Sequence, residues 1–133
     1  MSKLKPPFRA DHVGSLLRVD QLKVARKKFF DEDSISREEL TIIENDAIID
    51  NIKMQENAGL AAITDGEARR SFWHYDFMGG LTGLDLVERK EGVQFSGMKL
   101  RPIFPTITGS LDFPDNHPML DHYKFVAENT NML

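Results

Sequence analysis

Cysteine is absent from the 133 residues. That removes disulfides, thiol nucleophiles and cysteine-bound metal from what this sequence can supply. Long apolar runs are missing too. No window approaches the roughly 18 consecutive apolar residues of a membrane span, so no membrane partner is expected. The opening MSKLKPPFRADH has lysines but no apolar stretch behind them, so no secretory leader is expected and the cytoplasm is the default location. An excess of positive charge is lacking as well: 17 Lys and Arg stand against 21 Asp and Glu, a net charge of −4. That balance argues against a dedicated nucleic-acid binder. The one basic cluster, Lys23, Arg26, Lys27 and Lys28, has the acids of FFDED close behind it and reads as a solvated helix face. There is no internal repeat, no Ser-His-Asp order, no phosphate loop and no dinucleotide fingerprint. GGLTG has neither the lysine nor the spacing those signatures require.

What remains is the composition of a globular protein, 41% apolar and 29% charged, with length for one domain and a real core. After the proline pair of KPPFRADHVGSL a short strand is expected to end near Val13. Asp20 can cap a helix carrying Leu22, Val24, Ala25 and Phe29, and FDEDSIS reads as a loop. Ser36 and Glu39 have capping-box spacing. Leu40, Ile43, Ala47, Met54 and Ala58 then recur at helical steps, widened by Ile42, Ile48, Ile49 and Ile52. Gly59 supplies a left-handed stop to a helix of about 22 residues. LAAIT follows without polar alternation, as expected of a strand buried on both faces of a parallel sheet. Strand, helices and strand make a crossover unit. Next come a glycine-rich turn at MGGLTG, a helical or irregular stretch, and a hairpin in which VQF and MKLRPIF flank Ser96-Gly97. PTITGSLDF reads as a further strand. A last helix begins near Pro118, with Asn116 or His117 as cap.

Parallel strands place their C-terminal ends on one side of a sheet, where ligands bind. The two ends here are HVGS and TDGEARR. Gly14 allows close approach to the backbone, and the Ser15 hydroxyl with nearby N–H groups can hold a carboxylate. Glu67 suits an ammonium group. A zwitterionic amino acid would match both; equally, Gly-Ser can be a helix-entry turn and Asp-Gly-Glu a loop. Arg69 and Arg70 could bind a carboxylate or pair with Asp65 and Glu67. Phe72, Trp73, Tyr75 and Phe77 could stack on a flat ring or close the rim of a core. The four histidines do not make a metal site: His117 and His122 are wrongly spaced for one helical face, and His12 and His74 sit in separate motifs. They read as structural or hydrogen-bonding groups.

PPFRADHVGSLLR, the long helix ending QENAGL, and ITDGEARRSFWHYDF together resemble the catalytic barrel of cobalamin-independent methionine synthases, most of all its short, single-barrel members. The resemblance implies an α/β fold: the N-terminal portion of a TIM (β/α)₈ barrel, with about three parallel strands, crossover helices and an inserted β-hairpin. It implies methyl transfer from methyltetrahydrofolate to the thiol of homocysteine, activated by zinc. Val13, Gly14 and Ser15 match the segment that binds the amino acid's carboxylate, and Glu67 matches the glutamate that holds its ammonium group. His12, Asp65 and Arg70 stand where a substrate or loop role is possible, although Asp65 replaces the usual histidine. The folate contacts lie partly around the hairpin. The family's zinc ligands are a histidine, cysteines and a glutamate from later strands, so no catalytic or metal-binding residue is assigned here. A complete barrel needs about 250 residues, so residues 1–133 are expected to form a single partial barrel domain, incomplete at its C-terminus. Its open edge calls for self-association into a homo-oligomer or for a complementing C-terminal half. Three functions stay open: a homocysteine methyltransferase working as a truncated or split version, a non-catalytic fragment or amino-acid-binding module, and a related zinc barrel acting on another thiol such as coenzyme M.

Overall fold

The computed structural model describes residues 13–90, 92, 94–99 and 102–132. They fall into two compact units, one of residues 13–69 with 122–132 and one of the described residues between 70 and 121.

The first unit is helical. Helix α1, Asp20–Phe30, begins one residue earlier than Asp20 as a cap would allow. Val19 is the N-cap and makes no side-chain bond, while Asp20 pairs with Lys23 within the first turn. Helix α2, Arg37–Asn57, starts at the expected capping box, in which Ser36 and Glu39 satisfy one another's backbone N–H. At its far end Leu60 N–H reaches the Gln55 carbonyl and Gly59 N–H that of Glu56, a Schellman stop with Gly59 at φ 76°. The two helices bury Leu22, Ala25, Leu40, Ala47, Ile48 and Ile52, and Ala68 and Val126 join the same core.

The buried stripe of α2 differs from the expected one. Met54 and Ile42 face outward, while Glu44 and Gln55 lie inside it. That inversion explains the fate of LAAIT. Residues 60–65 form no strand. The Gln55 amide takes the place of a partner strand at Thr64: its Oε1 accepts from Thr64 N–H at 3.1 Å and its Nε2 donates to the Thr64 carbonyl at 2.8 Å. The expected parallel pairing is thus not formed among the described residues, where both ladders are antiparallel.

In the second unit, helix α3, Tyr75–Met78, leads to strand β1, Thr82–Glu88. That stretch was expected to be helical or irregular; it is extended instead, paired antiparallel along its length with a later segment of the same unit. Strands β2, Gln94–Phe95, and β3, Met98–Lys99, pair around Ser96-Gly97 as expected. Strand β4, Ile103–Asp112, covers most of PTITGSLDF and pairs with β1, Leu84 opposite Ile107 and Leu86 opposite Pro105. Helix α4, Pro118–Asn129, begins at the expected proline. Among the described residues, no helix is long and apolar enough to cross a membrane.

Candidate functional site

The loop after Thr64 carries the acids singled out in the sequence, and its backbone is closed on both sides. Thr64 Oγ1 accepts from Gly66 N–H at 3.2 Å, and Asp65 Oδ1 accepts from Glu67 N–H at 2.9 Å. The second contact is an Asx turn, which commits one oxygen of the Asp65 carboxylate to the loop itself. Gly66 is buried at φ 63°, and a Cβ there would stand 2.9 Å from Leu16 and from Asn51 Nδ2. Only glycine fits that approach.

Glu67 follows in the same left-handed region at φ 55°. For a residue with a Cβ this conformation costs on the order of 1–2 kcal/mol. It persists only where the surroundings hold it, as strained backbone commonly is at binding sites.

The surroundings here come from the segment that contains the other motif. Leu16 N–H donates to the Gly66 carbonyl at 3.0 Å. Arg18 Nη2 donates to the Glu67 carbonyl at 2.8 Å, and Arg18 Nε to that of Ala68 at 3.1 Å. Val13, Gly14 and Ser15 therefore run directly into the residues that grip the Asp65–Glu67 loop, and all three are exposed. The two motifs, about 50 residues apart in sequence, are neighbours in the fold as expected. Among the described residues their adjacency arises through a backbone bond, from Leu16, and through the Arg18 side chain on two carbonyls; the strand expected to end near Val13 lies outside the described residues. His12 lies outside the described residues. Arg70 is half-buried.

Arg26 and Glu44 were not read as site residues, and Arg69 was expected to have other partners. Arg26, taken for part of a solvated face, turns inward: its Nη1 donates to Glu44 Oε1 at 3.1 Å and to the Arg69 carbonyl at 2.9 Å. Arg69 pairs with Glu44 Oε2 at 3.1 Å and with Asn45, not with Asp65 or Glu67. Glu44, 3% exposed, thus sits between two guanidinium groups. Glu44 and Gln55 could have been found, because both fall on the stripe Leu40, Ala47, Ile48 and Ile52 defines. A charged residue on a buried stripe needs a partner.

In the aromatic run Phe72 contacts Tyr75, and His74 lies tilted against both Tyr75 and Trp73, which is 71% exposed. His117 is fully buried and hydrogen-bonded through both ring nitrogens, the structural role expected of it. A zinc centre needs thiolate, imidazole or carboxylate ligands converging on one point. The sequence has no cysteine, and among the described residues no three of His, Asp and Glu are grouped to hold an ion. The described residues do not by themselves fit a zinc centre.

No protein-family model matches the chain. The uncharacterized protein YxjH of Bacillus subtilis (strain 168) is 46% identical over 124 residues, covering 93% of this chain and 32% of that protein. The uncharacterized protein YxjG of the same organism is 42% identical over 127 residues, covering 95% of this chain and 33% of that protein. Among solved structures, the "Putative Vitamin-B12 Independent Methionine Synthase from Listeria monocytogenes" matches at 38% identity with a TM-score of 0.73, over 94% of this chain and 33% of that one. The chain spans about a third of the length of the curated relatives it matches. In sequence and fold it is similar to part of a protein whose name carries methionine synthase activity only as a putative one.

Proposed function

We propose that this chain supplies the amino-acid-binding part of a homocysteine S-methyltransferase of methionine biosynthesis, built on the N-terminal portion of a (β/α)₈ barrel. The substrate's carboxylate lies against Gly14 and the Ser15 hydroxyl, and its ammonium group meets Glu67. One observation carries the reading: the segment after Ser15 holds the Glu67 loop directly, through Leu16 N–H on Gly66 and Arg18 on Glu67 and Ala68. A carboxylate on a loop whose backbone is held by the segment carrying Gly14 and Ser15 is complementary to a zwitterion bound between the two. The reaction would break the N–CH3 bond of methyltetrahydrofolate and form the S–CH3 bond of methionine, the thiol proton ending in net on the folate nitrogen that gave up the methyl group. Zinc activation of that thiol, which lowers its pKa, would have to draw on ligands other than the residues described here.

Calorimetry with L-homocysteine, L-methionine and 4-(methylthio)butanoate, which lacks the amino group, tests the assignment. Glu67→Gln is expected to weaken both amino acids by about tenfold or more, the usual size for a lost charge-assisted bond. It should leave the amine-free analogue unaffected. Equal affinity of Glu67→Gln and wild type for L-homocysteine would remove Glu67 as the ammonium partner.

A further inference from the structure

Four consecutive carbonyls, those of Gly66, Glu67, Ala68 and Arg69, accept from one short stretch of chain: Leu16 N–H at 3.0 Å, Arg18 Nη2 at 2.8 Å, Arg18 Nε at 3.1 Å and Arg26 Nη1 at 2.9 Å. The conformation of Glu67 is the relation between the two peptide planes that flank it. The plane before it is held at both ends, by Leu16 on the Gly66 oxygen and by Asp65 Oδ1 on the Glu67 nitrogen. The plane after it is held by Arg18 on the Glu67 oxygen, while Ala68 N–H makes only a long bond of 3.4 Å to the Asp65 carbonyl. With the first plane fixed, Arg18 decides whether the second stays where φ is 55° or rotates to a relaxed, negative value. The planar fork of a guanidinium suits this task, since Nε and Nη2 take adjacent carbonyls together, as a single ammonium does not.

We propose that Arg18 is a positioning residue: it holds Glu67 in the left-handed conformation that presents its carboxylate to the amino group of the ligand. This rests on the assignment of Glu67 above. Arg26 and Glu44 support the same loop one residue further on, at the Arg69 carbonyl. They do not bound the Glu67 peptide planes.

Two measurements on the whole chain test it. In Arg18→Gln, the Glu67 and Ala68 amides should exchange with solvent roughly tenfold faster or more, as locally released backbone does. The Thr64 amide, held by Gln55, should be unchanged. In calorimetry, Arg18→Gln should bind L-homocysteine about tenfold more weakly, the scale of a lost charge-assisted contact. The same change made in the Glu67→Gln background should cost less than about twofold, because residues acting through one another are not additive. Arg18→Lys, which reaches one carbonyl, should recover part of the loss and serves if the glutamine variant does not fold. Unaltered exchange at Glu67 and Ala68 overturns the positioning role whatever the ligand does. An equal loss in both backgrounds overturns action through Glu67. Loss of affinity in Glu67→Gln but not in Arg18→Gln leaves the ammonium site standing and removes Arg18 alone.

Discussion

The loop at residues 65–69 and the turn at residues 71–80 are both irregular backbone fastened by side chains, but the fastenings differ in kind. The first is held by guanidinium groups on carbonyls, and behind it Glu44 is buried between Arg26 and Arg69. The second is held by the Asp76 carboxylate, which accepts from Ser71 and Phe72 N–H at 2.6 and 3.1 Å, and by the ring of His117. His117 Nδ1 accepts from Met119 N–H at 3.2 Å, so Nε2 carries the proton and donates to the Phe77 carbonyl at 2.9 Å. Its ring stacks on Phe113 with centroids 4.9 Å apart. The backbone shows the consequence. Glu67 is held at positive φ in the first region, whereas among the described residues of 70–121 only glycines have positive φ. Charge-assisted bonds, about twice as strong as neutral ones, can hold a strained residue. In the second region the Asp76 carboxylate makes charge-assisted bonds as well, and with the His117 ring it fastens backbone that is already relaxed.

Removing the charge at the centre of the first region should have the largest effect. Glu44→Gln leaves two inward-turned guanidinium groups without their carboxylate, a change that typically costs about 3–5 kcal/mol. Urea unfolding measures it, and a loss below about 1 kcal/mol would mean that solvent or other groups already screen this cluster. In the second region the sensitive point is steric. A Cβ at Gly80 would stand 2.4 Å from His117 Nε2. Gly80→Ala should therefore destabilise by about 1–3 kcal/mol, the range for overpacking, and an unchanged melting midpoint would show that the imidazole can move aside. If the comparison is right, Glu44→Gln also speeds amide exchange around Glu67, and Gly80→Ala does not.

What could be read from the sequence was what local chemistry determines. The Ser36–Glu39 box, the Gly59 stop, the Ser96-Gly97 turn and the Pro118 start all depend on residues within a few positions of one another. The adjacency of the Val13–Ser15 and Asp65–Glu67 segments was legible too, as two chemically complementary motifs. Their means of attachment was not. Arg26 resembles its lysine neighbours until Glu44 and Arg69, 18 and 43 residues away, turn it inward. Gln55 looks like one more polar helix residue until Thr64 bonds to it on both sides. Side-chain hydrogen bonds of long sequence separation leave no period behind. Strand β1 was missed for another reason: the glycines of MGGLTG suggested a turn, and the strand is defined by its pairing with β4, about 20 residues on, rather than by an alternation of its own.

The smallest expected effect extends the comparison to an anion at a chain end. The Glu56 carboxylate accepts from Asn131 N–H at 2.9 Å and from the Thr130 hydroxyl at 2.7 Å. The Asn131 backbone bond first, and the Thr130 bond second, hold the Glu56 carboxyl below the ordinary glutamate value. A carboxyl depressed on folding contributes stability that is fully present above its unfolded pKa and is lost as pH falls through the folded value. Glu56→Gln removes the titrating group while keeping an oxygen that accepts both bonds. Its stability should therefore fall less steeply than wild type on the acid side of the ordinary glutamate range, with the two converging at lower pH. Unfolding midpoints across that acid limb decide the matter. Parallel curves for the two proteins would mean that the 130–131 segment is held by its neighbours on α4 rather than by charge, leaving the Glu44 cluster as the ionic fastening on which this unit depends.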